Sequence, residues 1–439
     1  MTAPELLDAS FKGLPLHAAT TLDGLAAQGW NIRRGDTSTP VAVLRDAALD
    51  ANLDVMRRFC DAAGVSIAPH AKTTMSPQLI ARQLAAGVWG LTAALPAQVR
   101  MLWSFGARRV LMANELTDPA ALRWLARELA AHPERELLCY VDSAEGVRLA
   151  EEAFAEVAEA ADATAAAASL PADGSAAPTL QLPVLIELGH ESGRTGARDL
   201  DTALAVAEAA SAAPHLAVAG VAGYEGTIGH DRTEQTLARV DAFLTDLRDL
   251  AATLAERGLF APDREPIATA GGSSFFERVA HILGPLTTDG IRVVLRSGCY
   301  LTHDNGQYAT LTPSARPEWT LPPFQPALEV WTRVVSRPEP DLVLLNAGRR
   351  DVSHDAGLPV PLAAWRAATD SPVELGDAAH ISALSDQHAF LRVDPASPLA
   401  VGDLVALGVS HPCMTMDRWR LFLLVNEGYD VVGGARTYF

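Results

Sequence analysis

From residue 46 onward the chain alternates two kinds of segment. Ala/Leu/Arg-rich windows with apolar positions at helical spacing, such as AALDANLDVMRRFCDAAG and TEQTLARVDAFLTDLRDLAATLAERG, are separated by short β-branched or apolar runs. The runs are VSIAPHAK (65–72), VWGLTAAL (88–95), RRVLMANE (108–115), ELLCYVDS (136–143), LPVLIELG (182–189), LAVAGVAGYEG (216–226), PIATAGGSS (266–274) and IRVVLRSGCY (291–300). Strands in this number, alternating with helices, predict an α/β fold, a (β/α)8 barrel over residues 46–314.

After about residue 315 the helical period fades. ALEVWTRVVSR, PDLVLLNAG, HAFLRVD, GDLVALG, LFLLVN and YDVVGGARTYF read as short strands between turn residues, which predicts a second, mostly β domain. PVAVL (40–44) precedes the first barrel helix and is not needed for the barrel, so residues 1–45 are assigned to the β domain with 315–439. The Ala/Ser/Pro/Gly-biased stretch EAADATAAAASLPADGSAAPT (159–179) breaks the rhythm and reads as a solvent-exposed insertion in the barrel.

Composition narrows the function classes. The 439 residues are 49% apolar and 20% charged, with a formal charge of −18 and a pI near 5.1. Such a surface repels nucleic acid and anionic lipid, so a small-molecule ligand is expected and neither nucleic acid nor membrane is a partner. Cys60, Cys139, Cys299 and Cys413 lie far apart with no CxxC pair, as in a reducing compartment. The first residues, MTAPELLDAS, lack an export signal and no apolar run is long enough to span a bilayer, so a cytoplasmic location is expected.

In a barrel of this kind the reactive groups stand at the C-terminal ends of the strands. Here those ends carry His70 and Lys72, then Glu187, Gly189 and ESGRTG with Arg194, then GYEGTIGH with Tyr224 and His230. The last two strands end in TAGGSS and RSGCY, loops whose glycines and serines let backbone N–H groups and hydroxyls close around a phosphate. Lys72 is either a surface cation whose stem passes the core or the Schiff-base anchor of pyridoxal phosphate, and the facing phosphate loops favour the anchor. Arg194 is either a ligand of the cofactor's phenolic oxygen or an ion-pair partner of Glu187. Finally, SHPCMTMD places His411 and Cys413 at i and i+2. On an extended segment these share a face and suit zinc better than magnesium or calcium, the alternative being a core cysteine beside a satisfied histidine.

PHAKTT, ESGRTG, GYEGTIGH, TAGGSS, RSGCY, SALSDQH and SHPCMTM, in this order over residues 40–439, resemble the D-serine dehydratase and D-threonine aldolase family. These are fold-type III pyridoxal phosphate enzymes related to alanine racemase. The resemblance implies an alanine-racemase-like barrel with a β domain, usually a homodimer, with Lys72 as the Schiff-base lysine beside His70, and Arg194 at the ring oxygen. It implies phosphate contacts from Gly271, Gly272, Ser273 and Ser274 and from Ser297, Gly298 and Tyr300. It also implies a divalent metal on His411 and Cys413, zinc in the first place with manganese as the alternative. His230 matches a histidine proposed as base in the aldolases, Tyr224 lies on the same loop, and Arg296 matches the arginine that faces the pyridine nitrogen in alanine racemase.

Two departures stand out: His-Ala-Lys where the family usually has His-Val-Lys, and Asn346 where an aspartate usually precedes Ala-Gly. Cys413 resembles the dehydratases, since the aldolases more often place aspartate there. The expected activity is therefore elimination of water from a β-hydroxy-D-amino acid (D-serine or D-threonine) to a 2-oxo acid and ammonia. Retro-aldol cleavage to glycine and an aldehyde is the alternative, racemisation a third, and a non-catalytic pyridoxal phosphate carrier a fourth.

Overall fold

The runs that read as buried strands pair side by side. In a computed structural model that describes residues 5–167 and 179–439, Ser66–Ile67, Leu91–Ala93, Arg109–Glu115, Glu136–Val141, Leu182–Leu188, Leu216–Gly223, Ile267–Ala270 and Arg292–Leu295 form one parallel sheet. From Leu91–Ala93 onward each strand pairs with the next in sequence, and Arg292–Leu295 pairs back onto Ser66–Ile67. On the other side of that first strand, Trp89 N–H donates to the Ile67 carbonyl at 2.8 Å and His70 bridges Thr92, which closes the ring. Every residue of Leu182–Leu188 is buried, because a parallel strand between helices has no solvent face. Side chains including Leu111, Leu138, Tyr140, Leu185, Ile267 and Val294 pack together as an apolar cluster of this sheet.

The helices carry the start signals their sequences advertise. Pro119 occupies the first turn of Pro119–Ala131, and the Asp118 carboxylate accepts from Ala120 N–H at 2.9 Å. Thr233 caps Glu234–Glu256 in the same way. The stretch at 159–179 divides. Residues 159–167 continue the helix Ala144–Ala167, as alanine's helix propensity favours, and 168–178 lie outside the described residues.

A second compact unit comprises Met1–Arg58, Thr73–Ala86 and Gly298–Phe439, the first being Phe59–Lys72 with Gly87–Ser297. Its centre is the antiparallel strand Leu328–Glu339, flanked by Val41–Arg45 and Leu404–Gly408. Val41–Arg45 also pairs in parallel with Leu421–Val425. Alternate residues Val41 and Val43, Leu404 and Ala406, and Leu421, Leu423 and Val425 share one face, and they pack with Trp331 and the N-terminal Leu7, Phe11 and Trp30. Val360–Arg366, Ser371–Val373 and His380–Leu384 are also strands. They have many exposed positions, so no apolar alternation announces them.

Candidate active site

In the barrel, strand Ser66–Ile67 runs into a single 3-10 turn, Ala71–Thr73, that presents Lys72, half-buried. His70 Nδ1 lies 3.2 Å from the Thr92 carbonyl. A carbonyl only accepts, so Nδ1 carries the proton and Nε2 is bare. Burial, then the charges of Lys72 and Arg296, hold His70 well below its ordinary pKa, and the ring is neutral. Arg296 is 5% exposed and donates to Thr269 Oγ1 at 2.8 Å and to the Gly223 carbonyl at 2.6 Å. The Arg194 guanidinium lies over the Tyr224 ring, 4.4 Å from its centroid. Glu187, His190, Arg194, Tyr224 and Thr227 line a small open pocket.

The glycine-serine loop is held from behind. Gly271 takes φ +97°, a conformation that favours glycine, and the N–H groups of Gly271 and Gly272 donate to the fully buried Glu225 carboxylate at 3.0 and 2.9 Å. Those two amides face Glu225. Ser297 Oγ donates to the Gly272 carbonyl at 2.8 Å, and Ser273 and Ser274 are buried. Gly298 and Tyr300 belong to the second unit, where the Tyr300 hydroxyl accepts from Gln83 Nε2 at 3.3 Å. His230 is exposed. Among the described residues Lys72, Arg194 and Arg296 form no ion pair with an acid. The three cations Lys72, Arg194 and Arg296, the first of them an amine, fit the aldehyde, phenolate and phosphate of pyridoxal phosphate.

The second unit gathers Cys299, His411 and Cys413, whose donor atoms lie within 4.8 Å of one another. His411 and Cys413 do not sit on an extended segment. Pro412 is in the right-handed helical region and Cys413 begins the short helix Cys413–Met416, so a turn converges the two side chains where strand alternation had been expected to. His411 Nδ1 is 2.6 Å from Asp355 Oδ2. Cys413 Sγ is 3.5 Å from Cys299 Sγ and 3.4 Å from Thr73 Oγ1. Hydrogen bonding from Cys299 leads in holding Cys413 well below its ordinary pKa despite burial, while the same contact and burial push Cys299 up. Burial opposes protonation of His411, but Cys413 and Asp355 outweigh it and raise the ring to about 9. Thiolate and imidazole donors at this spacing fit a zinc ion.

Sequence reasoning missed Cys299, Asp355 and Glu225. Cys299 lies in a quoted loop and Glu225 adjoins Tyr224, but only tertiary contact reveals their partners. Asp355 carries no local signal. A further cluster, Glu115, Asp142 and Glu187, stands in the barrel unit. Asn346, the departure from the family pattern, accepts from Thr332 Oγ1 and Arg333 N–H, each at 2.8 Å, and donates to the Thr39 carbonyl at 3.0 Å.

Residues 45–261 match the "Alanine racemase, N-terminal domain" and residues 327–425 the "Putative serine dehydratase domain". The chain is similar to a D-threonine aldolase from Arthrobacter sp., 27% identical over 89% of both chains. The crystal structure of D-threonine aldolase from Filomicrobium marinum superposes with a TM-score of 0.73 at 23% identity, over 92% of this chain and 95% of that one. A metal-free cysteine-to-alanine mutant of D-threo-3-hydroxyaspartate dehydratase superposes with a TM-score of 0.68 at 18% identity, over 91% and 97% of the two chains. Barrel, β domain and these matches define an alanine-racemase-like protein. The chain carries an alanine racemase N-terminal domain and a serine dehydratase domain, and its relatives include a D-threonine aldolase and 3-hydroxy-D-aspartate aldolases.

Proposed function

We propose that the protein is a pyridoxal phosphate- and zinc-dependent dehydratase of β-hydroxy-D-amino acids, releasing a 2-oxo acid and ammonia. The observation that carries this reading is the His411–Cys413 donor pair, with the imidazole held by Asp355. The histidine and the cysteine changed in two mutants of D-threo-3-hydroxyaspartate dehydratase also stand two residues apart, and the cysteine mutant is the metal-free one. When bound, pyridoxal phosphate supplies an electron sink for charge at the substrate Cα, and zinc a Lewis acid for the β-hydroxyl.

The chain's own residues do the rest. Lys72 anchors the cofactor, and its Nζ removes the Cα proton. Arg194, backed by the Tyr224 ring, binds the ring oxygen. Arg296, fixed by Thr269 and Gly223, would supply a permanent cation for the ring nitrogen. Neutral His70 adds no further positive charge beside the amine. Ser273, Ser274 and Ser297 supply phosphate contacts, and Glu225 keeps the Gly271–Gly272 backbone in shape for them. His411 and Cys413 would hold the zinc ion.

A second reading is retro-aldol cleavage, which the 27% identity to a D-threonine aldolase over 89% of the chain favours. It uses the same residues, with a base at the β-hydroxyl proton, His230 in that role. D-Threonine separates the two. Loaded enzyme that forms 2-oxobutanoate and ammonia is a dehydratase; glycine and acetaldehyde make it an aldolase. In either case Lys72→Ala is expected to lose turnover and the cofactor's visible absorbance, and an active, yellow variant removes Lys72 from its role.

A further inference from the structure

We propose that Cys299 is a third protein ligand of the zinc ion, so that the centre is Cys2His with one open coordination position. This deepens, and rests on, the zinc-dependent reading given above.

The argument is geometric. A tetrahedral zinc with bonds of about 2.3 Å to sulfur and about 2.0 Å to nitrogen sets its ligand atoms roughly 3.3–3.8 Å apart. The two sulfurs are 3.5 Å apart, and the imidazole nitrogen lies within 4.8 Å of both. A disulfide would bring the sulfurs to about 2.05 Å, so their spacing suits a shared ion better than a bond. The carboxylate of Asp355 occupies Nδ1 and leaves Nε2 as the donor, the orientation that carboxylate–histidine–zinc arrangements use. Thr73 Oγ1, 3.4 Å from Cys413 Sγ and 4.0 Å from Cys299 Sγ, stands beside both sulfurs.

The chemistry agrees. Closed structural zinc sites have four protein ligands, and catalytic ones keep three with the fourth position open to water or substrate. His411 and Cys413 alone make half a site. Adding Cys299, which is 5% exposed, gives the catalytic number and leaves a place for the substrate's β-hydroxyl. Two thiolates also balance the ion's charge inside the protein and favour zinc over manganese, which prefers oxygen donors. A mere pair of hydrogen-bonded thiols would explain the sulfurs but not the carboxylate-anchored imidazole that shares their space.

The test is zinc X-ray absorption on the zinc-loaded holoenzyme freed of excess metal. Two sulfurs at about 2.3 Å are expected, and a single sulfur overturns the inference while leaving the zinc reading intact. Wild type that retains no zinc, or that is isolated with a Cys299–Cys413 disulfide, overturns both. Cobalt(II)-substituted wild type, Cys299→Ser and Cys413→Ser give an independent readout, because the thiolate-to-cobalt absorption band should fall to roughly half in either variant. An unchanged band in Cys299→Ser overturns the assignment. If that variant fails to fold, the sulfur count of the wild type decides.

Discussion

His411 Nδ1 lies 2.6 Å from Asp355 Oδ2, a charge-assisted contact that fixes both the tautomer and the ring plane of the histidine. Asp355→Ala frees the ring to rotate and removes the negative charge that strengthens it as a donor. Zinc affinity is expected to fall by about 10–100-fold, the usual cost of losing such a partner. Competition with a chelator measures it, and activity lost by Asp355→Ala should return at high zinc. A variant that holds zinc as tightly as wild type would separate Asp355 from the centre.

Glu225 accepts two backbone N–H groups in a fully buried position, so its substitution touches the loop and not the chemistry. Glu225→Gln keeps the shape but turns one acceptor into a donor facing an N–H. The expected cost is about 2–3 kcal/mol, read as a lower melting temperature, with weaker cofactor binding because Gly271 and Gly272 lose their support. Added pyridoxal phosphate should recover part of the loss. A variant that melts and binds like wild type would show that the loop needs no such support.

The barrel was legible because parallel strands are apolar at nearly every position and the intervening helices carry their own caps. Lys72, Arg194 and the SHPCMTM segment drew attention for a different reason, since reactive types at strand ends stand out against an Ala/Leu background. What the sequence hid is long-range. Nothing local says that Glu225 will meet Gly271 forty-six residues on, or that Cys299 will meet Cys413 after 114. The His-Pro-Cys spacing singled out two side chains that the fold does bring together, but through a helical turn at Pro412 and not through strand alternation. The strands Val360–Arg366 and His380–Leu384 escaped because exposed strands need no apolar stripe.

Asn346 shows how a departure from a family pattern can be structural. Its Nδ2 donates to the Thr39 carbonyl while its Oδ1 accepts from two groups of the neighbouring strand. Asn346→Asp keeps the acceptor and sets a carboxylate against a carbonyl. A loss of about 1–3 kcal/mol in stability is expected, with kcat unchanged. A fall in kcat without loss of stability would instead give this position a role in turnover.

Glu115, Asp142 and Glu187 offer carboxylate oxygens within 4.8 Å of one another, and burial first, then the adjacent Glu187, raises Glu115 to about 9. The folded-state pKa thus exceeds the ordinary carboxylate value of 4.5. Its contribution to stability is fully present below that value and is lost as pH rises toward 9, because the unfolded chain releases the proton first. Glu115→Gln imitates the protonated carboxyl at every pH. Wild type and variant should melt together near pH 5, and by pH 8 the variant should be the more stable by on the order of 1–3 kcal/mol. Parallel melting curves from pH 5 to 8 would mean that Glu115 is ionised in the folded protein.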